Sequence, residues 1–115
     1  MKKIYHLKTC DTCKRILKQL NLDGFEIIEI KSNPVNEVQL QEMYNLTHSY
    51  ESLFNKRARL YKEQGLKDKN ISEEDYKQYI LSEYTFLKRP VAIIDNEIFI
   101  GNNKKTIESL IAKTI

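Results

Sequence analysis

Two cysteines, Cys10 and Cys13, stand three residues apart where a short apolar stretch gives way to a helical pattern. Residues 3–7 are predicted to form a strand, and the residues after Cys10 a helix. A cysteine in the first turn of a helix lies near unpaired backbone N–H groups and the positive end of the helix dipole, and both favour the thiolate. The C-x-x-C spacing at a strand-to-helix turn therefore predicts a redox-active pair of thiols.

The first helix is predicted to run to about residue 20 or 21, with one apolar face. That face has the i, i+3, i+4, i+7 spacing of a helix (Cys13, Ile16, Leu17, Leu20). Cys13 is therefore expected to point partly into the core, whereas Cys10 lies at the exposed tip. Because burial raises the pKa of a thiol, Cys10 is predicted to attack as the thiolate and Cys13 to resolve the adduct.

The next part of the chain predicts a second strand and then a long helical stretch. Residues 25–30 have strand character, so the first three elements make a βαβ unit with parallel strands. Helical patterns fill residues 34–86, and helices are expected to begin near Asn36 and Ser72. We interpret this stretch as a helical insertion between the second and third strands.

The last third of the chain predicts a β-hairpin followed by a helix. Residues 91–94 and 97–100 are predicted to be strands joined by a type I′ turn at Asp95–Asn96, and residues 104–113 a helix. The order β-α-β, insertion, β-β-α predicts an α/β fold with a mixed four-stranded sheet flanked by helices. At 115 residues, the chain is expected to form a single domain over 1–115.

Composition and charge narrow the classes of partner. The net charge is +3, which is too small to indicate nucleic-acid binding. No apolar run approaches the roughly 18 residues of a membrane span, and the basic start is followed by too few apolar residues for a secretory signal. We therefore expect a cytoplasmic protein, a compartment in which paired cysteines are more often catalytic or metal-binding than structural. A zinc site needs four ligands, and His6 and His48 do not supply a second pair with the right spacing, so no metal is predicted.

Several short segments carry a resemblance to one protein family. They are IYH at 4–6, Cys10, TCKR at 12–15, LFNKR at 53–57, YKEQGL at 61–66, LKRPVAI at 87–93 and IGN at 100–102. With these segments the chain resembles the arsenate reductase (ArsC) family, which includes Spx-type regulators and is related to glutaredoxin-like thiol enzymes. The resemblance covers nearly the whole chain and implies a thioredoxin-like fold with a helical insertion.

The resemblance also implies roles for individual residues. The nucleophile of the family matches Cys10, and its histidine before the cysteine matches His6. Its arginine before a proline matches Arg89, which would offer a forked donor to an anionic substrate or a glutathione carboxylate. Pro90 then matches the cis-proline beside the redox cysteine. Lys14 is a further candidate for substrate contact.

Two arginines that help to hold the oxyanion in the family's reductases are missing from this chain. At the first position the chain has Asn55, where Arg57 or Arg59 could substitute, and at the second it has Gly101–Asn102. This departure argues against arsenate as the specific substrate. The second cysteine, Cys13, is instead shared with Spx-like and glutaredoxin-type members.

The leading hypothesis is a thiol-dependent oxidoreductase that acts on arsenate or on a disulfide. It would need no bound cofactor, would be restored by an external thiol reductant (glutathione, thioredoxin or glutaredoxin), and is expected to be a monomer. The alternative is an Spx-like redox-sensing adaptor that binds RNA polymerase, with Cys10 and Cys13 as a switch. Spx-type regulators carry a longer C-terminal tail, whereas this sequence ends at Ile115, so we expect the enzyme.

Overall fold

The structure is a computed structural model that describes all residues from Met1 to Ile115. The strands are β1 (Lys2–His6), β2 (Glu26–Glu29), β3 (Val91–Ile94) and β4 (Glu97–Ile100). The helices are α1 (Asp11–Gln19), α2 (Glu37–Thr47), α3 (Tyr50–Leu53), α4 (Arg59–Glu63), α5 (Glu73–Ser82) and α6 (Lys104–Thr114). Single turns of 3-10 helix lie at Leu66–Asp68 and Tyr84–Phe86.

The chain divides into two compact units. The first, Met1–Asn33 together with Arg89–Ile115, contains the sheet with α1 and α6; the second, Pro34–Lys88, contains α2 to α5. The predicted α/β fold, a mixed four-stranded sheet with a helical insertion between its second and third strands, is confirmed. That the whole chain behaves as a single domain stays a prediction.

The sheet has the strand order β2-β1-β3-β4. β1 pairs in parallel with β2, as the βαβ pattern predicted, whereas the β1–β3 and β3–β4 pairs are antiparallel. All four residues of β3 are buried, which explains why this strand is a continuous apolar run without alternation. Helices α1 and α6 pack on the sheet through one apolar cluster (Ile4, Ile16, Leu20, Ala92, Ile94 and Leu110).

The hairpin between β3 and β4 differs from the prediction. Asp95 has a positive φ of 54°, whereas Asn96 does not; a type I′ turn requires a positive φ at both central residues, so the predicted type I′ is wrong. The N-terminal residue contacts this turn. The Met1 ammonium lies 3.0 Å from Asp95 Oδ1, and the Asp95 N–H donates to the Met1 carbonyl at 2.6 Å. These bonds join the hairpin turn to the N-terminal residue, and the positive φ of Asp95 is one that Asp adopts more readily than most other residues.

Side-chain caps begin the longer helices of the insertion, as predicted. Asn36 Oδ1 accepts from the Gln39 N–H at 2.8 Å, and Gln39 Oε1 accepts from the Asn36 N–H at 3.1 Å. The same reciprocal arrangement joins Ser72 and Asp75 at the start of α5. Capping boxes of this kind satisfy N–H groups that the helix leaves unpaired.

An aromatic cluster fills the core of the insertion. Phe54 is 1% exposed and stacks on Phe86 with ring centroids 5.0 Å apart. Tyr76 lies 4.9 Å from Phe54, and Tyr79 lies 5.6 Å from Phe86. These two tyrosines of α5 are therefore packing residues.

None of the helices combines the length and the apolar character that crossing a membrane would require.

Candidate active site

The chain reaches Cys10 through a tight turn at the end of β1. The Cys10 N–H donates to the Leu7 carbonyl at 3.1 Å, which closes the turn over Lys8 and Thr9. Cys10 is then the N-cap of α1, with an extended backbone, and its carbonyl accepts from the Lys14 N–H at 3.1 Å. This strand, turn and helix place the sulfur at the N-terminus of the helix, where unpaired N–H groups are concentrated.

The surroundings of Cys10 favour its thiolate. Partial burial by itself would raise its pKa. Against this, the backbone N–H and the thiol of Cys13, the Arg89 guanidinium and the Thr12 N–H all stabilise the negative sulfur, so that the pKa of Cys10 lies below its ordinary value. No side chain caps α1, so these N–H groups remain available to the sulfur.

Cys13 has the opposite character. It is fully buried, at 0% exposure, whereas Cys10 is half-buried, and the predicted difference in burial is confirmed. Burial is the main reason that the pKa of Cys13 rises to about 11; the charge of the Cys10 thiolate and the hydrogen bond to it add to the rise. A backbone hydrogen bond from Leu7 and the charge of Arg89 act in the other direction. Both cysteines are free thiols.

Arg89 lies beside these sulfurs, and Pro90 follows it directly before β3. The Arg89–Pro90 peptide bond is cis, as the family resemblance implied. Pro90 is buried, and its carbonyl accepts from the Gly101 N–H at 2.9 Å. The half-buried Arg89 hydrogen-bonds through its side chain to the Cys10 sulfur. The structure therefore brings Cys10, Cys13 and Arg89 together, although Arg89 is far from both cysteines in the sequence.

The hydrogen bonds and ion pairs of His6 and Lys14 involve groups other than the cysteine sulfurs. His6 is the last residue of β1 and is half-buried; its carbonyl accepts from the Ile30 N–H at 2.9 Å. Lys14 is exposed on α1, and its Nζ lies 3.9 Å from Asp11 Oδ1. Roles of His6, Lys14, Arg89 and Pro90 in substrate binding stay predictions.

Sequence reasoning missed Glu29, the last residue of β2. Its Oε2 accepts from the Lys8 N–H at 2.9 Å, and its Oε1 accepts from the Ser32 N–H at 2.7 Å. The N–H groups of Lys8 and then Ser32 hold the pKa of this carboxyl below its ordinary value. The parallel βαβ unit contained a clue, because the carboxyl ends of adjacent parallel strands meet at one edge of a sheet.

The position of the first missing arginine lies within the insertion. Asn55 Nδ2 donates to the Thr85 carbonyl at 3.3 Å, and Asn55 Oδ1 accepts from the Arg57 N–H at 3.0 Å. The amide thus stabilises a loop of its own unit and carries no charge. Arg57 and Arg59 are exposed, and a role for either of them in substrate binding stays a prediction.

The second missing arginine corresponds to the loop after β4. Gly101 there has a φ of 83°, a backbone conformation that glycine adopts far more readily than arginine would.

The described chain contains no group of three or more His, Cys, Asp and Glu side chains arranged to hold a metal ion.

Comparison with known proteins identifies one family and relatives that match almost the whole chain. The sequence model of the ArsC family matches residues 5–110. The Escherichia coli K12 protein YfgD is 24% identical over 113 residues, which are 95% of each chain.

Two solved structures are similar along almost their whole length. One is a putative ArsC family related protein from Bacteroides fragilis (TM-score 0.79, 22% identity, 95% of this chain and 96% of that one). The other is a possible arsenate reductase from Streptococcus mutans UA159 (TM-score 0.74, 25% identity, 96% and 97%). These similarities support the same thioredoxin-like architecture.

Proposed function

Because the chain belongs to the ArsC family, we propose that it is a thiol-dependent oxidoreductase in which Cys10 attacks and Cys13 resolves. The observation that carries the proposal is the unequal chemistry of two neighbouring sulfurs. N–H donors and Arg89 lower the pKa of Cys10 against the effect of its partial burial, whereas burial raises the pKa of Cys13 to about 11. The thiolate is the nucleophilic form of a cysteine, so the first attack belongs to Cys10.

With a disulfide substrate, the Cys10 thiolate attacks one sulfur, and the other sulfur leaves as a thiolate that takes a proton from solvent. Cys13 then loses its proton and attacks the Cys10 sulfur, which releases the second substrate thiol. The products are two substrate thiols and a Cys10–Cys13 disulfide. Two electrons have passed from the protein to the substrate, and an external thiol such as glutathione, thioredoxin or glutaredoxin returns them.

With arsenate, the same residues would form a Cys10–S–As(V) adduct, and water or hydroxide leaves from arsenic. Cys13 attacks the Cys10 sulfur, the S–As bond breaks, and its electron pair stays on arsenic, which departs as arsenite. The neutral Asn55 and the Gly101 loop supply no positive charge to hold the oxyanion. We therefore propose disulfide and arsenate as competing substrates of one site, with the missing arginines disfavouring arsenate.

The loss of negative charge at Cys10 during the first attack favours the second step, in which Cys13 is deprotonated and attacks. Forming the adduct removes the negative charge and the acceptor at the Cys10 sulfur, both of which raise the pKa of Cys13. Deprotonation of Cys13 is therefore easier in the adduct than in the resting protein. This arrangement keeps Cys13 unreactive until it is needed.

The test is a coupled assay in which NADPH consumption follows regeneration of the reductant. The reduced protein is assayed with arsenate and, separately, with small disulfides, using glutathione with its reductase and then thioredoxin with its reductase. We expect turnover that the Cys10→Ser variant loses completely. No turnover above the Cys10→Ser background with any substrate and reductant, or a Cys10 thiol that titrates with iodoacetamide like a free cysteine, would overturn the proposal.

A further inference from the structure

Glu29 connects two segments at the edge of the sheet next to the cysteine turn. β1 and β2 are parallel, and His6 is opposite Glu29 in their register. The Glu29 side chain therefore reaches the turn that follows β1. One carboxylate oxygen accepts from the Lys8 N–H and the other from the Ser32 N–H, at 2.9 and 2.7 Å. Hydrogen bonds to an ionised carboxylate are roughly twice as strong as those between neutral groups.

We propose that Glu29 is a positioning residue for Cys10, acting through the turn at Lys8. The turn is short, since the Cys10 N–H donates to the Leu7 carbonyl, and only Thr9 separates Lys8 from Cys10. A displacement at Lys8 is therefore transmitted to the sulfur. Glu29 holds Lys8 so that the Cys10 sulfur faces the N–H groups of α1 and the guanidinium of Arg89. This inference rests on the proposed function, in which Cys10 is the reactive thiolate.

The charge of Glu29 and its proposed positioning of the turn would act on the reactivity of Cys10 in opposite directions, so the two roles can be distinguished by experiment. A carboxylate close to a thiolate repels it, and this effect alone would raise the pKa of the thiol. Removing a carboxylate that acted only by its charge would therefore make Cys10 more reactive. Removing a carboxylate that positions the turn makes Cys10 less reactive, because the sulfur loses its alignment with the donors. The two roles predict changes of opposite sign.

The experiment uses the full chain and the variants Glu29→Ala and Glu29→Gln. Glu26→Ala is the matched control, since Glu26 is an exposed carboxylate on the same strand. The rate of Cys10 alkylation by iodoacetamide is measured against pH, with the modified cysteine identified by mass spectrometry. Amide hydrogen exchange of Lys8 is followed by NMR on the same proteins, and thermal melting shows that each variant is folded at the temperature used.

For Glu29→Ala we expect about a three- to tenfold slower alkylation of Cys10 at neutral pH, because the rate follows the thiolate fraction. We also expect faster exchange of the Lys8 amide. Glu29→Gln, which keeps one acceptor oxygen but no charge, should lie between Glu29→Ala and the wild type. Glu26→Ala should match the wild type in both measurements.

Three results would overturn the role of Glu29 alone: unchanged Lys8 exchange, unchanged Cys10 alkylation, or faster alkylation in both Glu29 variants. Each of these presupposes a wild-type Cys10 that titrates below an ordinary thiol. If wild-type Cys10 titrated like an ordinary thiol, the proposed function would be overturned together with the role of Glu29. The two kinds of failure are thus distinguished by the wild-type protein.

Discussion

Cys10 and Cys13 are separated by less than one turn of α1, yet their environments make them chemically different. Cys10 lies at the helix N-terminus, half-buried and close to several donors, whereas Cys13 faces the core. The same helix that lowers the pKa of one sulfur therefore buries the other and raises its pKa. At the scale of single residues, this difference is the basis for the proposal that Cys10 attacks and Cys13 resolves.

Replacing Cys10 and replacing Cys13 should have different effects on the reaction. Cys10→Ser should abolish turnover, because the attacking thiolate is lost. Cys13→Ser should leave the first attack intact and trap a mixed disulfide on Cys10, unless glutathione resolves it. Mass spectrometry after one equivalent of oxidised substrate locates the adduct. An adduct on Cys13 in the Cys10→Ser protein, formed at the wild-type rate, would contradict this assignment.

Arg89 should contribute to the pH dependence of Cys10 alkylation. Because the guanidinium helps to lower the pKa of Cys10, wild-type Cys10 should remain alkylatable at pH values below the ordinary thiol range, near 8.5. In Arg89→Ala the midpoint of the alkylation profile should move up, and the rate at neutral pH should fall by about two- to tenfold.

Arg15→Ala is the control for this measurement, since it removes the same charge from an exposed position on α1. Its alkylation profile should lie close to that of the wild type. An Arg89→Ala profile that coincides with that of Arg15→Ala would contradict a specific effect of the contact between Arg89 and the sulfur on the midpoint.

At the scale of elements, the helices of the insertion are delimited by their caps. α2 starts at a reciprocal pair of hydrogen bonds between Asn36 and Gln39, and α5 at one between Ser72 and Asp75. α2 ends at His48, which adopts a left-handed φ of 58°, a conformation in which polar residues such as His are enriched. Local side chains thus decide where these helices begin and end.

Removing the cap of α2 should lower the stability of the protein by a predictable amount. Asn36→Ala leaves the Gln39 N–H without its acceptor and should decrease the free energy of unfolding by about 1 kcal/mol. Asn36→Gly should decrease the free energy of unfolding by only about a few tenths of a kcal/mol, because glycine is tolerated at the N-cap position. Urea unfolding of both variants checks the difference, and equal losses in the two would contradict the capping role.

At the scale of the whole molecule, the two edges of the sheet are poor sites for self-association. The two edge strands, β2 and β4, are only four residues long, and they carry two glutamates and one glutamate, respectively. Short, charged edges are poor templates for pairing between chains. On β4, Glu97 Oε1 also lies 2.6 Å from Lys113 Nζ. The exposed large apolar residues are spread over separate segments (Met1, Ile27, Val38 and Ile115).

We therefore predict a monomer under reducing conditions. Stable interfaces bury about 800 Å² on each partner, and isolated exposed apolar residues do not provide such an area. Sedimentation equilibrium should return the mass of one chain, 13.6 kDa, over a wide range of protein concentration. A concentration-dependent dimer in excess reductant would contradict this prediction, whereas a dimer seen only after oxidation would indicate an intermolecular disulfide through Cys10.

The sequence by itself determined the features that depend on neighbouring residues. The helical spacing from Cys13 to Leu20 predicted which sulfur is buried, and the caps at Asn36 and Ser72 predicted where two helices begin. The parallel pairing of the first two strands followed from the length of their connection. Such features could be predicted because their interacting groups lie within a few residues, or one connection, of each other.

Only the tertiary structure decided the contacts between distant parts of the chain. The Met1 ammonium pairs with Asp95, Arg89 reaches the Cys10 sulfur, and Glu29 holds the N–H of Lys8. Hydrophobic periodicity indicates which face of an element is buried, but not which side chain of another element lies against it. Those pairings depend on strand order and register, and in this protein they place the Arg89 donor that helps to lower the pKa of Cys10.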